Sequence, residues 1–186
     1  MKDTTLELST PDNNFKNTII KWGLISAAVS IIYSIINTQL LINEISFNKA
    51  INGLLSAVIS ITILFIGIKE YRDKFNGGYI TFSKGFKTGF MIVLISTLIF
   101  AVFSYIYNSY IIDYSIIENN ALKESLKYMK EKKLPEEQIK QSLEYTKKFL
   151  SINYAVISTV VGGIIIGSIF SLIVAAIVKK ENKQYA

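Results

Sequence analysis

The spacing of charged residues constrains this chain more than any other feature. No Asp, Glu, Lys or Arg occurs from Ala50 to Ile68, from Gly89 to Ile112 or from Ile152 to Val178, and between Thr18 and Ile42 the one charge is Lys21. In chain order these runs are 25, 19, 24 and 27 residues long. A helix of about 20 apolar residues crosses the ~30 Å hydrocarbon core of a bilayer. The expected fold class is therefore an all-α integral membrane protein. It has four transmembrane helices (about 18–42, 50–68, 89–112 and 152–178) and a two-helix amphipathic extramembrane segment over 113–151 between spans three and four. At 186 residues this is one domain, residues 1–186.

Missing residue types narrow the chemistry further. The chain has no cysteine, which removes disulfides, thiolate metal sites and thiol nucleophiles, and no histidine, which removes the usual general base near neutral pH. No glycine-rich phosphate cradle opens a helix. The net charge of +6 comes from lysines that flank apolar runs, where membrane topology and anionic headgroups account for them. The expectation is a non-enzyme with no cofactor, no metal and no nucleic-acid partner, whose first partner is the lipid bilayer.

Residues 1–17 carry three acids and two lysines, unlike the basic start of a signal peptide. The following apolar run also exceeds a signal's ~7–15-residue core, so the first span is expected to stay in the mature protein. Lys21 and Trp22 open that span at interface depth. The link Asn43 to Lys49 is short enough to force an antiparallel hairpin. In the connection from Lys69 to Thr88, Lys69–Asp73 and Glu70–Lys74 are opposite charges at i,i+4, which extend a helix. Gly77-Gly78 breaks it, and Thr81 or Ser83 can cap the next helix. Phe82, Phe86 and Phe90 recur every four residues with Lys84 and Lys87 off the stripe, predicting an amphipathic first turn in the interface. Between Asp113 and Ser151, Leu122, Leu126, Met129, Ile139, Leu143 and Leu150 fall on helical faces on either side of Pro135. They predict one buried seam, with Pro135 at the first helical position and Glu136 and Glu137 behind it.

The stretches Gly67-Ile68-Lys69-Glu70-Tyr71-Arg72-Asp73, Gly77-Gly78-Tyr79-Ile80-Thr81-Phe82 and Lys84-Gly85-Phe86-Lys87-Thr88-Gly89 resemble the central signature of the family catalogued as domain of unknown function 4199. Gly23-Leu24-Ile25-Ser26, the segment from Glu136 to Phe149 and the final helix from Gly163 to Lys180 are similar to other parts of that family. The resemblance covers nearly the whole chain. It implies a four-span protein of the bacterial inner membrane and no activity. Members often carry a proline near position 113, where this chain has Asp113-Tyr114, so the start of the outer helix departs from the pattern.

Several constellations carry both a functional and a plain structural reading. Lys69, Arg72, Lys74, Lys84 and Lys87 are the candidate headgroup or partner contacts; the alternative is a topology signal of solvated cations. Within the spans, polar groups are Asn37, Gln39, Asn52, Asn108 and Asn153 near the ends, with Ser and Thr deeper in, and no ionisable group at mid-depth of the kind coupled transporters use. Ser26, Ser30 and Ser34 either line a path or let helices approach closely. Tyr105, Tyr107 and Tyr110 form a ligand site or an interfacial aromatic belt. In span four, Ala155, Thr159, Gly163, Gly167, Ser171 and Ala175 recur every four residues. The centre of that stripe (Gly163, Gly167 and Ser171) is the candidate helix-packing face, against the same chain or a second copy. Three basic residues lie before or at the mouth of span one and one follows it, which places both termini in the cytoplasm and residues 113–151 outside. Two classes of function fit: a non-catalytic scaffold or accessory subunit with a membrane-protein partner or homo-oligomer, or a small-molecule or lipid-handling channel or transporter formed by an oligomer.

Overall fold

A computed structural model of the chain describes residues 13–43 and 48–181. The opening stretch 1–12, the middle of the first link and the last five residues lie outside the described residues, and with them Lys2 of the basic residues counted around span one. Among the described residues six helices follow one another: α1 (Asn13–Ile42), α2 (Lys49–Glu70), α3 (Phe82–Ile106), α4 (Tyr114–Glu131), α5 (Glu136–Phe149) and α6 (Ile152–Val178). α2 and α3 each continue into one wide π-helical turn, Tyr71–Phe75 and Tyr107–Ile111. α1, α2, α3 and α6 are long and apolar enough to cross a membrane, so the chain is an all-helical membrane bundle with a helical hairpin outside it.

Local chemistry sets the helix ends. The Asn48 side chain accepts from the backbone N–H groups of Ala50 and Ile51, and Thr81, one of the two expected caps, accepts from Lys84 N at 3.3 Å. Gly77 and Gly78 both take the left-handed backbone (φ 63° and 79°) that side chains rarely adopt. This turns the chain from α2 into α3. Pro135 stands at the N-cap of α5 and not at its first helical position as expected; the helix begins one residue later, at Glu136.

α3 is the central helix. It packs most extensively against α6 and then α1, while α2 leans on α6 and α1 to close the bundle. The α3–α6 contact is an antiparallel ladder of small side chains. Gly85 lies against Ala175, Gly89 against Ser171, Gly167 against Val93 and Gly163 against Thr97. Each step of four residues up α3 is matched by four down α6, so the backbones stay close along the ladder. The candidate packing face Gly163, Gly167 and Ser171 thus meets α3 of the same chain.

The packed face of the first turns of α3 is Gly85, Thr88, Gly89 and Ile92, all buried, whereas Phe82, on the expected amphipathic stripe, is 39% exposed and Phe86 and Phe90 are partly buried. The expectation of a buried seam in the outer segment is corrected. In the outer hairpin only Met129 is buried; Leu122, Leu126, Ile139, Leu143 and Leu150 remain partly exposed. α4 and α5 pack on each other, but two helices cannot enclose a seam from every side.

Candidate functional site

Two places in the bundle concentrate polar chemistry. The first is the end where α1 begins, α6 ends and the α2–α3 connection turns. Glu70 is the hub. Its carboxylate accepts from Lys21 Nζ at 2.9 and 3.0 Å, from Trp22 Nε1 at 2.6 Å and from Lys74 Nζ at 3.0 Å, with its own side chain only 13% exposed. Arg72 forks onto Asp73 at 2.7 and 3.1 Å and donates to the Val178 carbonyl at 2.9 Å. This places a cation on the negative C-terminal end of α6. Directly beyond, Ile80 and Lys180 exchange two backbone hydrogen bonds of 2.9 Å. Lys84 donates to Asn76 Oδ1 at 2.6 Å and lies over the Tyr71 ring, while Lys69 and Lys87 lie over Phe65 and Phe15.

The five candidate headgroup contacts are therefore gathered at one end, and Arg72, Lys74 and Lys84 hold the chain's own carboxylates, carbonyls and amides. The arrangement is a clasp. It fastens α1 to α2 through Lys21, Trp22 and Glu70, and α2 to α6 through Arg72. Inside it, Ile68, Tyr71, Ile92 and Val174 are completely buried.

The second place is the middle of the bundle. A cavity of about 260 Å³ opens between all four spans, and its polar wall is Ser26, Ser30, Ser60, Ser96, Thr97 and Thr159. A second cavity of about 290 Å³ adjoins it toward the α1–α2 link. The two share Ser30, Ser60 and Phe100, and the second adds Tyr33, Ser34, Asn37 and Ser56. Ser30 stands at the centre of the first apolar run and Ser60 beside the centre of the second, so these two hydroxyls lie at mid-membrane depth.

Most of these hydroxyls are satisfied by protein. Ser96 donates to Ser26 Oγ at 3.1 Å and ties α3 to α1, while Ser60 and Thr159 donate to the carbonyls of Ser56 and Ala155 at 2.8 and 2.9 Å. Among the described residues Ser30, Ser34 and Thr97 make no such bond, although Thr97 is only 9% exposed. No buried side-chain polar atom of the described residues is sealed away without a partner, so these three hydroxyls face the open space. At the link end Tyr33 donates to the Asn52 carbonyl at 2.7 Å and to its side-chain oxygen. Asn52 in turn donates to Asn37, and Asn37 to the Tyr33 carbonyl at 2.7 Å.

Of the serines at four-residue spacing in span one, Ser26 makes the close helix contact, while Ser30 and Ser34 line open space. Of the three tyrosines at the end of span three, Tyr105 and Tyr110 are exposed, as an interfacial belt requires. Tyr107 is instead 6% exposed and stacked on Phe103 at 5.2 Å. In the hairpin, Leu122, Leu126 and Leu143 line a groove of about 380 Å³ flanked by Lys123, Lys140, Lys147 and Glu144. At the start of α4, burial pushes the Tyr114 phenol above its ordinary value, with the Glu118 charge adding to it. Among the described residues no group of three or more acidic side chains is placed to hold a metal ion.

Sequence reasoning missed the α3 half of the ladder. Its signal was Gly85 and Gly89 at four-residue spacing, hidden under the more conspicuous phenylalanines. It also missed that hydroxyls from four separate spans converge, which no single-helix pattern reveals. A family model described as Protein of unknown function (DUF4199) matches residues 21–180. No curated protein and no solved structure matches the chain.

Proposed function

The chain belongs to the DUF4199 family, and we propose that it is a non-catalytic protein of the bacterial inner membrane that holds a small hydrogen-bonding molecule between its four spans. One observation carries this reading. The hydroxyls of Thr97, Ser30 and Ser34 face the two adjoining cavities, on residues of which Thr97 is nine-tenths buried, and among the described residues none of the three has a protein partner. A polar group in an apolar setting costs free energy unless something bonds it, and a bound molecule or ordered water supplies that bond. Sites for small molecules are concave, mostly apolar and provided with a few converging polar groups, which describes these walls. The lack of histidine and cysteine supports binding rather than catalysis.

The scaffold or accessory-subunit reading is favoured by a different observation, the uncovered leucine groove of the α4–α5 hairpin. One purification tests both: release of the protein from its native membrane in mild detergent, with mass analysis of small molecules and of proteins that accompany it. A small molecule present with the parent and lost from Thr97→Val, which keeps the shape, supports the first reading. A stoichiometric protein lost from Leu126→Glu supports the second.

For orientation we propose both termini in the cytoplasm and the α4–α5 hairpin outside, on the basic residues around span one. Cysteines placed at Asn76 and Glu131 test it with an impermeant thiol reagent on intact cells. Labelling of position 131 alone fits, and labelling of position 76 alone overturns it.

A further inference from the structure

We infer, resting on the binding role just proposed, that the cavity is a vestibule closed toward the basic end: it admits its ligand from the α1–α2 link end and selects an uncharged molecule bearing hydroxyl, amide or carbonyl groups. Three features of the walls carry this.

The first is closure at one end. Below the Ser26–Ser96 hydrogen bond the bundle is filled. Ile92, Ile68, Tyr71 and Val174 are at 0% exposure, Leu64 is at 3%, and a side chain at Gly23 would collide with Ile95. The Glu70 clasp lies beyond them. A solute arriving from the basic end would have to part the best-packed layer of the molecule.

The second is a ladder of polar groups leading the other way. Ser26, Ser30, Ser34 and Asn37 line the two adjoining cavities along α1. Eleven residues of helix separate the first from the last, about 16 Å at 1.5 Å per residue. The Tyr33–Asn52–Asn37 hydrogen bonds stand at the top of that ladder and join α1 to α2. Donors and acceptors there serve one another and can be exchanged for those of a passing molecule.

The third is the absence of charge. No residue lining either cavity, among the described residues, is Asp, Glu, Lys or Arg. An ion at mid-membrane depth without a counter-charge is disfavoured, whereas a neutral molecule meets hydroxyls that both donate and accept.

The chain has no native cysteine, so single cysteines report on the vestibule directly. We would place them singly at Ser34, Ser30, Thr97 and Ser26, with Asn76→Cys, partly exposed in the α2–α3 turn, as the reference, Ile92→Cys in the packed layer and Ile165→Cys on the lipid face. Serine or threonine to cysteine nearly conserves volume, so folding is not at stake at the vestibule positions. The full-length protein in lipid nanodiscs, whose two faces are both open to reagent, is treated with neutral methyl methanethiosulfonate and with its trimethylammonium and sulfonate analogues.

Relative to position 76, the Ser30→Cys and Thr97→Cys proteins should react at least about tenfold faster with the neutral reagent than with either charged one, since burying an uncompensated charge is penalised. Rates should fall in the order Ser34, Ser30, Ser26. Positions 92 and 165 should be slowest, because a packed or lipid-facing thiol is neither reached by water nor ionised. Equal rates with charged reagents would overturn the neutral selectivity and leave the binding role standing. A reversed order, deepest position fastest, would overturn the direction of access alone. Silence at Ser34, Ser30 and Thr97 toward all three reagents would overturn the inference and the binding role together.

Discussion

The two halves of the bundle are built from much the same residue types and end up unlike. In the half near the clasp, Ile68, Tyr71, Ile80, Ile92, Val174 and Val178 are all at or below 1% exposure. In the half toward the α1–α2 link, two cavities separate the same four helices. Composition does not explain the difference, since serine, threonine and glycine occur in both. What differs is what stands opposite them. Gly89 meets Ser171 and Gly85 meets Ala175, so two small faces coincide and the backbones close. Around Ser30, Ser60 and Thr97, small polar groups on α1, α2 and α3 border a common space edged by Phe100 and Phe170, although Thr97 itself also meets Gly163 in the ladder. A bilayer supplies no hydrophobic force to squeeze helices together, because lipid tails are as apolar as leucine. A void between spans therefore persists unless complementary surfaces remove it.

The sharpest way to break this comparison is to put bulk where the closed half meets the first cavity, whose wall includes Val93 and Gly167. A Cβ on Gly167 would already overlap the Val93 side chain, so Gly167→Leu must separate α3 from α6. Overpacking costs typically 1–3 kcal/mol, and with the ladder rigid on both sides the loss should reach about 3 kcal/mol or more. Thermal unfolding in detergent checks it. Ile165→Leu, on a side chain 57% exposed, should leave the transition in place, and equal melting of the two would mean that the ladder does not hold the bundle.

Next in size is the clasp. Glu70→Gln keeps the shape and removes the charge that draws Lys21 and Lys74. Hydrogen bonds to a charged group are worth about 1.5–3 kcal/mol, and loss in that range is expected. Lys21→Met should cost less by itself. In a double-mutant cycle the two should be less than additive, because they share one interaction. Full additivity would show that the pair is only a surface contact.

How much of this was legible in the sequence follows the range over which each rule acts. The four spans were readable because excluding charge from hydrocarbon is a rule for single residues. The turn at Gly77-Gly78, the Thr81 cap and the small face of α6 were readable because each is local to one segment. The clasp was half visible: Glu70–Lys74 is an i,i+4 pair, but nothing local shows that Lys21 and Trp22, some 48 residues earlier, meet the same carboxylate. The α3 partner face was masked because Phe82, Phe86 and Phe90 satisfy the same four-residue period as Gly85 and Gly89, and periodicity alone does not say which face packs. The cavity was not legible at all. Hydroxyls on four helices form a site only when the packing angles fail to bring the backbones together, and that is a property of the assembled bundle.

The outer hairpin offers a smaller effect that bears on the same contrast, since it too leaves apolar surface half covered. Leu126 and Leu143 lie across an open groove. Full burial of a leucine is worth roughly 1.5–3 kcal/mol, so a half-buried one contributes about 1 kcal/mol. Leu126→Glu should loosen the hairpin to limited proteolysis while the melting of the span bundle stays unchanged. Exchanging Lys123 or Lys127 for glutamine should do neither. Unchanged proteolysis of Leu126→Glu would mean that α4 and α5 are held by something other than this groove.

The smallest expected effect is the most discriminating, because it compares two hydroxyls of opposite standing. Ser171 is completely buried and donates to the Gly167 carbonyl at 2.7 Å; Thr97 is nearly as buried and donates to nothing in the described structure. Removing a satisfied hydroxyl from the closed half loses a hydrogen bond, about 0.6 kcal/mol on average for side-chain bonds in membrane bundles. Ser171→Ala should therefore lower the melting temperature slightly. Thr97→Val keeps the shape and deletes a polar atom that the protein does not use. Without ligand it should raise stability by a few tenths of a kcal/mol, the favourable side of taking an unpartnered polar group out of an apolar wall. With ligand present the sign should reverse, since the parent alone keeps the hydroxyl that bonds it, and binding stabilises only the form that binds. The two variants thus move apart in detergent-purified protein stripped of small molecules, and together when native membrane extract is added back. A loss in Thr97→Val equal to that of Ser171→Ala in the stripped protein would show that Thr97 already has a partner inside the bundle, and the two halves would then differ in shape alone and not in chemistry.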